Sequence, residues 1–170
     1  SDALIELQSR NNGKPLAESA MDVDDVVATF EYYAGLAQAL DRQQDQPLAL
    51  LWLDLDRFHK VNASFGHRGG DRIIAHVATL IRALVPVTAH CMRMGSDEFV
   101  ILLPGTSLGE ARALGQQLAQ ALEQPLELDG MMIHPTASIG LAQHAAGESL
   151  HAFFERADRA MLDAKRQGGN

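Results

Sequence analysis

The chain has 170 residues, 46% of them hydrophobic, which is enough for one folded core and too little for two. Its 14 Lys and Arg residues are outnumbered by 22 Asp and Glu residues, and the net charge of -8 argues against a nucleic-acid partner. There is no apolar run of the roughly 18 to 20 residues that a membrane span needs, and no signal-peptide pattern, so we expect a cytoplasmic protein without membrane contact. The single cysteine, Cys91, excludes an internal disulfide and is expected to be buried.

The first half of the chain predicts a helix, a buried strand and a second helix. Apolar residues recur at helical spacing from Val26 to Leu40, which predicts a helix over about residues 23–43. The run "PLALLWLDLD", residues 47–56, is apolar until it ends in acids, as expected for a strand buried on both faces. The polar stretch from Arg57 to Asp71 is predicted to be a loop, and an apolar stripe after it predicts a helix.

The second half alternates strand pairs with helices. The pattern predicts a strand pair in residues 90–104, a helix in 107–124, a second strand pair in 125–145 and a final helix in 149–167. Ser107 and Glu110 form a capping box at the start of a helix, and Asp129-Gly130 is a strong signal for a hairpin turn. Helices mixed with hairpins favour an α+β fold with an antiparallel sheet.

Three carboxylates fall at the predicted strand ends. Asp54 ends the first strand, and Asp97 and Glu98 lie at the tip of the hairpin expected to pair beside it. Oxygen ligands of this kind, with room for substrate phosphates, suit Mg²⁺ better than zinc. The alternative is that each acid is only a solvated turn residue. The glycine-containing stretch of residues 57–71 adds backbone N–H groups and a helix N-terminus, which favour a nucleotide bound with its metal.

Four ordered motifs carry a resemblance to a known family: "LDLDRFHKVNASFGHRGGDRI", "RMGSDEFVILLPG", "TASIGLA" and "ADRAMLDAK". From about residue 37 to residue 170 the chain resembles the GGDEF domains, the diguanylate cyclases that condense two GTP molecules into cyclic di-GMP and pyrophosphate. The resemblance implies a palm-like, five-stranded central sheet flanked by helices, as in nucleotide cyclases. It also implies a homodimer in which each subunit presents one GTP, with catalysis by metal and in-line placement.

The resemblance assigns the metal and the chemistry to the strand ends. Asp54, Asp97 and the backbone carbonyl of Leu55 would hold Mg²⁺ or Mn²⁺. Asp97 and Glu98 would be the candidates for activating the attacking hydroxyl, and the sequence leaves open which of them takes the proton.

The remaining assignments concern GTP. Asn62 and Asp71 would bind the guanine edge, backbone N–H groups around Phe58 would contact the terminal phosphates, Ser96 would lie against the substrate, and Lys165 would add positive charge at the phosphates. The structural alternatives are a turn residue at Asn62, a helix N-cap at Asp71 and a solvated helix end at Lys165.

Three departures from the family pattern bear on activity. His59 replaces a usual lysine, and Gly169 replaces a usual arginine, so two of three phosphate cations are absent. Each hydrogen bond to a charged group contributes about 1.5–3 kcal/mol, so this loss predicts much weaker GTP binding. Ser96 replaces the second glycine of the turn, where a positive φ would cost serine about 1 kcal/mol. We expect a GTP-binding domain with weak or lost cyclase activity; the alternative is an active diguanylate cyclase.

The N-terminal segment and the domain boundaries raise a separate question. Residues 4–41 also resemble a helical segment of betaine-aldehyde-type aldehyde dehydrogenases, without the catalytic cysteine or dinucleotide loop, so no dehydrogenase chemistry is implied. We expect residues 1–22 to be an N-terminal helical extension and residues 23–170 to be the GGDEF domain, with the helix of about 23–43 shared between them. Relatives often continue into an EAL phosphodiesterase domain, which is a candidate C-terminal partner.

Overall fold

The structure is a computed structural model that describes residues 46–168. Its elements are β1 (Leu48–Leu55), α1 (Phe58–Leu84), β2 (His90–Arg93), β3 (Glu98–Pro104), α2 (Leu108–Leu122), β4 (Leu126–Leu128), β5 (Met131–Ile133), β6 (Ala137–Gln143) and α3 (Leu150–Arg166). The helix predicted over 23–43, the extension of residues 1–22 and the dehydrogenase-like segment lie outside the described residues. None of the described helices is long and apolar enough to span a membrane.

The central sheet has the strand order β2-β3-β1-β6, with every neighbouring pair antiparallel. The predicted α+β class is confirmed. Within residues 46–168, however, the sheet has four strands rather than the expected five, because the predicted second strand pair consists of three strands. β4 and β5 pair only with each other around Asp129 and Gly130, whose φ values of 51° and 82° suit a tight hairpin turn. β6 alone joins the central sheet.

The core has two layers because β1 is buried on both faces. Ala49, Leu51, Leu53 and Leu55 alternate along β1 and pack in one apolar cluster with side chains of α1 and α2. On the opposite face Trp52 makes an edge-to-face contact with Phe154 of α3, with ring centroids 6.3 Å apart. Helices therefore cover both sides of the strand that ends in Asp54.

Helix α1 begins thirteen residues before the start expected at Asp71, since residues 58–65 are helical rather than a loop. The helix bends at Gly66, which has φ 67° and ψ 178°. Beyond the bend the backbone packs closely: a Cβ on Gly69 would lie 2.3 Å from Phe65 Cβ, and one on Gly70 would lie 2.0 Å from Asn62 Oδ1. The glycines therefore serve close packing, and Asp71 lies inside the helix, so its N-cap interpretation is wrong.

Two other local expectations have definite outcomes. The capping box is confirmed, because Ser107 Oγ accepts from the Glu110 N–H and the Glu110 carboxylate accepts from the Ser107 N–H at 2.8 Å. Cys91, expected to be buried, is exposed. Within residues 46–168 its strand β2 is at the edge of the sheet and pairs with β3 alone.

Helix α3 rests directly on the backbone of β6 at Gly140. A Cβ at this position would lie 2.1 Å from the Ala157 carbonyl oxygen and 2.2 Å from the Met161 nitrogen. Both neighbours are backbone atoms, which cannot rotate away as a side chain would. Gly140 therefore fixes the separation between α3 and the sheet.

We expect Gly140→Ala to lower the free energy of unfolding by about 2 kcal/mol or more, because overpacking against backbone must displace the helix. The matched control is Gly109→Ala in α2, where a Cβ meets nothing within 4 Å. That substitution should be neutral or stabilising, because alanine suits a helix better than glycine does. Urea unfolding midpoints of the two variants measure both effects, and equal stabilities would contradict the close-packing argument.

Candidate functional site

The acids predicted at the strand ends are brought together. Asp54 of β1 and Glu98 of β3 are direct partners in the antiparallel register. The Leu55 N–H donates to the Asp97 carbonyl at 3.0 Å, which joins the end of β1 to the hairpin turn. A rigid, doubly covered strand thus presents Asp54 beside a turn that carries Asp97.

The carboxylates of Asp54, Asp97 and Glu98 lie close together in a place that is partly shielded from solvent. Burial raises the pKa of Asp54 above its usual value, the Lys165 ammonium opposes this, and the nearby Asp97 and Asp56 carboxylates add to the rise. Burial is also the main cause of the raised pKa of Glu98, followed by the charges of Asp54 and Asp97. A cation placed among these groups would offset both the desolvation cost of the ionised carboxylates and their mutual repulsion.

Lys165 forms an ion pair with Asp54. Its Nζ donates to Asp54 Oδ1 at 2.7 Å, from the last turn of α3 to the end of β1. The Asp54 side chain is 9% exposed and the Lys165 side chain 43% exposed. The hydrogen bond to Asp54 is the main reason that the pKa of Lys165 is raised. The solvated-helix-end interpretation of Lys165 is therefore wrong; this cation contacts a predicted metal ligand.

The donor set predicted for a metal consists of Asp54, Asp97 and the Leu55 carbonyl. In residues 46–168 no group of three or more His, Cys, Asp or Glu side chains is placed to hold a metal ion. The predicted set needs only two carboxylates and one backbone oxygen, and all three belong to the joined ends of β1 and the hairpin turn. Hard oxygen donors with excess negative charge fit Mg²⁺ or Mn²⁺ that completes its shell with water and phosphate.

The hairpin turn is held by Arg93, a residue that the sequence reasoning did not single out. Its guanidinium donates from Nε to the Gly95 carbonyl at 3.0 Å and from Nη2 to the Ser96 carbonyl at 2.7 Å. The Ser96 hydroxyl donates to Asp97 Oδ1 at 2.7 Å. The sequence feature that could have indicated this role is an arginine just before a charged turn.

Ser96 does not carry the backbone strain expected of it. Among the described non-glycine residues, positive φ occurs at Arg57 and Asp129. Ser96 is thus accommodated without the left-handed conformation, and its side chain contacts Asp97.

The predicted guanine-binding residues lie on either side of the bend in α1. Asn62 Oδ1 is buried and has no hydrogen-bond partner in the part of the chain that the structure describes. It lies against Gly70, and the exposed Asp71 is the next residue. An unpaired buried acceptor is unfavourable. Asn62 lies inside α1, so its interpretation as a turn residue is wrong.

Phe58 and Asp56 define the junction between β1 and α1. Phe58 is the buried first residue of α1, so the N–H groups around it belong to a helix N-terminus. Asp56, which the sequence reasoning overlooked, accepts from Thr136 Oγ1 at 2.8 Å and from Ser138 Oγ at 2.7 Å. The sequence feature that could have indicated this contact is the pattern Thr-Ala-Ser at a strand, because residues two apart place both hydroxyls on one face. Of the departures, His59 is exposed and Gly169 lies outside the described residues.

The chain matches the family described as "Diguanylate cyclase, GGDEF domain" over residues 30–170. It is 36% identical over 138 residues to the bifunctional diguanylate cyclase/cyclic di-GMP phosphodiesterase MucR of Pseudomonas aeruginosa, covering 79% of this chain and 20% of MucR. The GGDEF domain of DgcB from Caulobacter crescentus, in complex with c-di-GMP, superposes with a TM-score of 0.77 at 27% identity, covering 82% of this chain and 85% of that one. The FimX GGDEF domain of P. aeruginosa gives 0.75 at 28%, covering 82% and 90%.

The fold and the site define a domain of cyclic di-GMP signalling. The chain belongs to the diguanylate cyclase GGDEF family. It spans about a fifth of the length of MucR, and the match begins at residue 30, somewhat before the start near residue 37 expected from the motifs.

We expect Glu98→Gln to raise the melting temperature at pH 7, because the ionised carboxylate is disfavoured in the folded state, where its pKa is raised. A raised acid pKa lowers stability as pH increases through it, so the advantage of glutamine should vanish near pH 3.5, where Glu98 is protonated whether the chain is folded or unfolded. Thermal melts across this range test the effect. Glu127→Gln, at an exposed site on β4, is the control and should show no such trend.

Proposed function

We propose that the domain binds GTP, has weak or lost diguanylate cyclase activity and acts as a regulatory part of a larger protein. The observation that carries this proposal is the state of Lys165. It is the one cation left of the three that the family pattern directs at the phosphates, and it is bound to Asp54. The affinity of the domain for the triphosphate is therefore low.

GTP binding is supported by residues that remain in place. The buried, unpaired Asn62 Oδ1 would accept from the guanine edge, with Asp71 beside it. N–H groups around Phe58 would donate to the terminal phosphates at the start of α1. Ser96 would lie against the substrate with its hydroxyl already committed to Asp97.

The divalent metal that diguanylate cyclases of this family use would be held by Asp54, Asp97 and the Leu55 carbonyl. When bound, Mg²⁺ or Mn²⁺ supplies positive charge that stabilises the phosphates during transfer. Glu98, with its raised pKa, is suited to accept the proton of the attacking hydroxyl, and Asp97 is the other candidate. Arg93 would keep both acids in position by holding the turn.

The wider context of the domain is part of the same proposal. GGDEF domains bind GTP or c-di-GMP and act as dimers, and relatives that also carry a phosphodiesterase exist. MucR is described as bifunctional. We therefore propose homodimerisation, an EAL phosphodiesterase partner domain in the full-length protein, GTP as the effector and a cytoplasmic location.

An active diguanylate cyclase is the second candidate. It is favoured by the joined ends of β1 and the hairpin, which bring Asp54, Asp97 and Glu98 together, and by the unstrained backbone at Ser96.

We expect purified protein with Mg²⁺ and GTP to form little cyclic di-GMP, although it binds GTP more tightly than ATP. Chromatographic detection of the product, together with calorimetric titration of both nucleotides, separates the two functions. Turnover of about one per second, within the ordinary range of enzymes, would support the active cyclase instead.

The variant Ser96→Gly, His59→Lys, Gly169→Arg should bind GTP at least about 100-fold more tightly, because two charged hydrogen bonds of about 1.5–3 kcal/mol are restored. Calorimetry measures the change. The matched control adds the same two charges elsewhere, as Gln116→Lys and Gln120→Arg on α2, and should leave the affinity near that of the starting protein. Unchanged binding by the triple variant would count against the missing-cation argument.

A further inference from the structure

The Lys165 ammonium cannot pair with Asp54 and contact the terminal phosphates of GTP at the same time. In the proposed function Lys165 contacts the terminal phosphates of GTP, and Asp54 is a ligand of the metal. In the structure the Lys165 ammonium is 2.7 Å from Asp54 Oδ1. An ammonium and a divalent cation on one carboxylate repel each other strongly in a partly buried place.

We propose that Lys165 holds Asp54 in the nucleotide-free domain and that a divalent cation gains Asp54 only together with GTP, whose phosphates draw the ammonium away. This inference rests on the proposed function and adds a rule for how its two ligands depend on each other. Metal and nucleotide then each raise the affinity for the other by the same factor, as linkage requires.

The geometry shows which partner moves. Asp54 is fixed on β1, whose two faces are covered, and its side chain is almost fully buried. Lys165 lies in the last turn of α3, with a flexible four-carbon chain and a side chain that is 43% exposed. Its ammonium can therefore exchange one anionic partner for another without any change in the sheet.

The negative charges near Asp54 explain why its carboxylate pairs with a cation in the domain without ligands. Asp56 and Asp97 act on it with the same sign, while Lys165 offsets them. Removing Lys165 would leave the nearly buried Asp54 carboxylate without an opposite charge, which is unfavourable. The domain without ligands thus uses its own cation where the loaded domain would use a metal. Since His59 and Gly169 supply no phosphate cation, Lys165 has no substitute from those two positions at the nucleotide.

The primary test is a titration of the whole 170-residue chain with Mn²⁺ without nucleotide, followed by electron paramagnetic resonance. We expect Lys165→Met to bind Mn²⁺ about tenfold more tightly than the starting protein, in the range typical of coupled sites. Adding Asp54→Asn to this variant should abolish the gain. The matched control is Arg166→Met, which removes the same charge one residue along, where the guanidinium pairs only with Asp163 among the described contacts.

A second readout follows Lys165 itself and does not depend on any variant's stability. The ε-methylene carbon signal of Lys165 in an NMR spectrum should stay in place with Mg²⁺ alone and shift when Mg²⁺ is added with a methylene-bridged GTP analogue. A signal that moves with Mg²⁺ alone, equal Mn²⁺ affinities for Lys165→Met and the starting protein, or an equal gain for Arg166→Met would each overturn the inference.

Failure of the inference is distinguishable from failure of the proposed function. If the analogue binds but Mn²⁺ affinity is independent of Lys165, the proposed function stands and the competition does not. If Lys165→Met gains Mn²⁺ affinity through Asp54 while no guanine nucleotide binds to any variant, the competition stands and GTP binding does not.

Discussion

The burial of β1 between two helical layers is the constraint on which the rest of the domain depends. An eight-residue strand with apolar side chains on both faces must pair with neighbours along both edges, and β3 and β6 do so. Where the apolar run stops, the strand is still covered, so Asp54 emerges into a place that water reaches poorly. The chemistry of the site follows from this: its acids are held by a rigid scaffold and partly deprived of solvent, which makes them sensitive to any nearby charge.

The charges around Asp54 come from separate elements of the fold. β3 and its turn contribute Glu98 and Asp97, and α3 contributes Lys165. The hydrogen bond from Leu55 to Asp97 and the guanidinium of Arg93 hold these contributions in register. The site is therefore a junction between secondary structure elements rather than a property of the hairpin loop. Ser96, a departure within that loop, is accommodated by a side-chain contact with Asp97 instead of by backbone strain.

Much of this could be predicted from the sequence. The α+β class, the capping box at Ser107, the hairpin at Asp129-Gly130 and the meeting of Asp54 with Glu98 all follow from periodicity and turn chemistry. The helix of residues 58–65 could not be predicted, because Gly66, Gly69 and Gly70 suggest a loop. In the structure Gly66 forms the bend of α1 with its positive φ, and Gly69 and Gly70 allow close packing beyond it. Within residues 46–168 the central sheet has four strands rather than five, because which strands pair depends on tertiary contacts that local patterns do not show. The partner of Lys165 lies 111 residues away, and no local pattern could indicate it.

Gly140 gives the site a remote point of control. The missing side chain lets α3 lie on bare strand backbone, and Lys165 is carried at the far end of the same helix. The point from which the Lys165 side chain extends toward Asp54 therefore depends on a glycine in β6 as well as on the charged pair. A methyl group added at Gly140 would push α3, and with it the base of the Lys165 side chain, away from the sheet, although this position lies outside the site. In this domain the separation between α3 and the sheet therefore also affects the balance of charge at the acids.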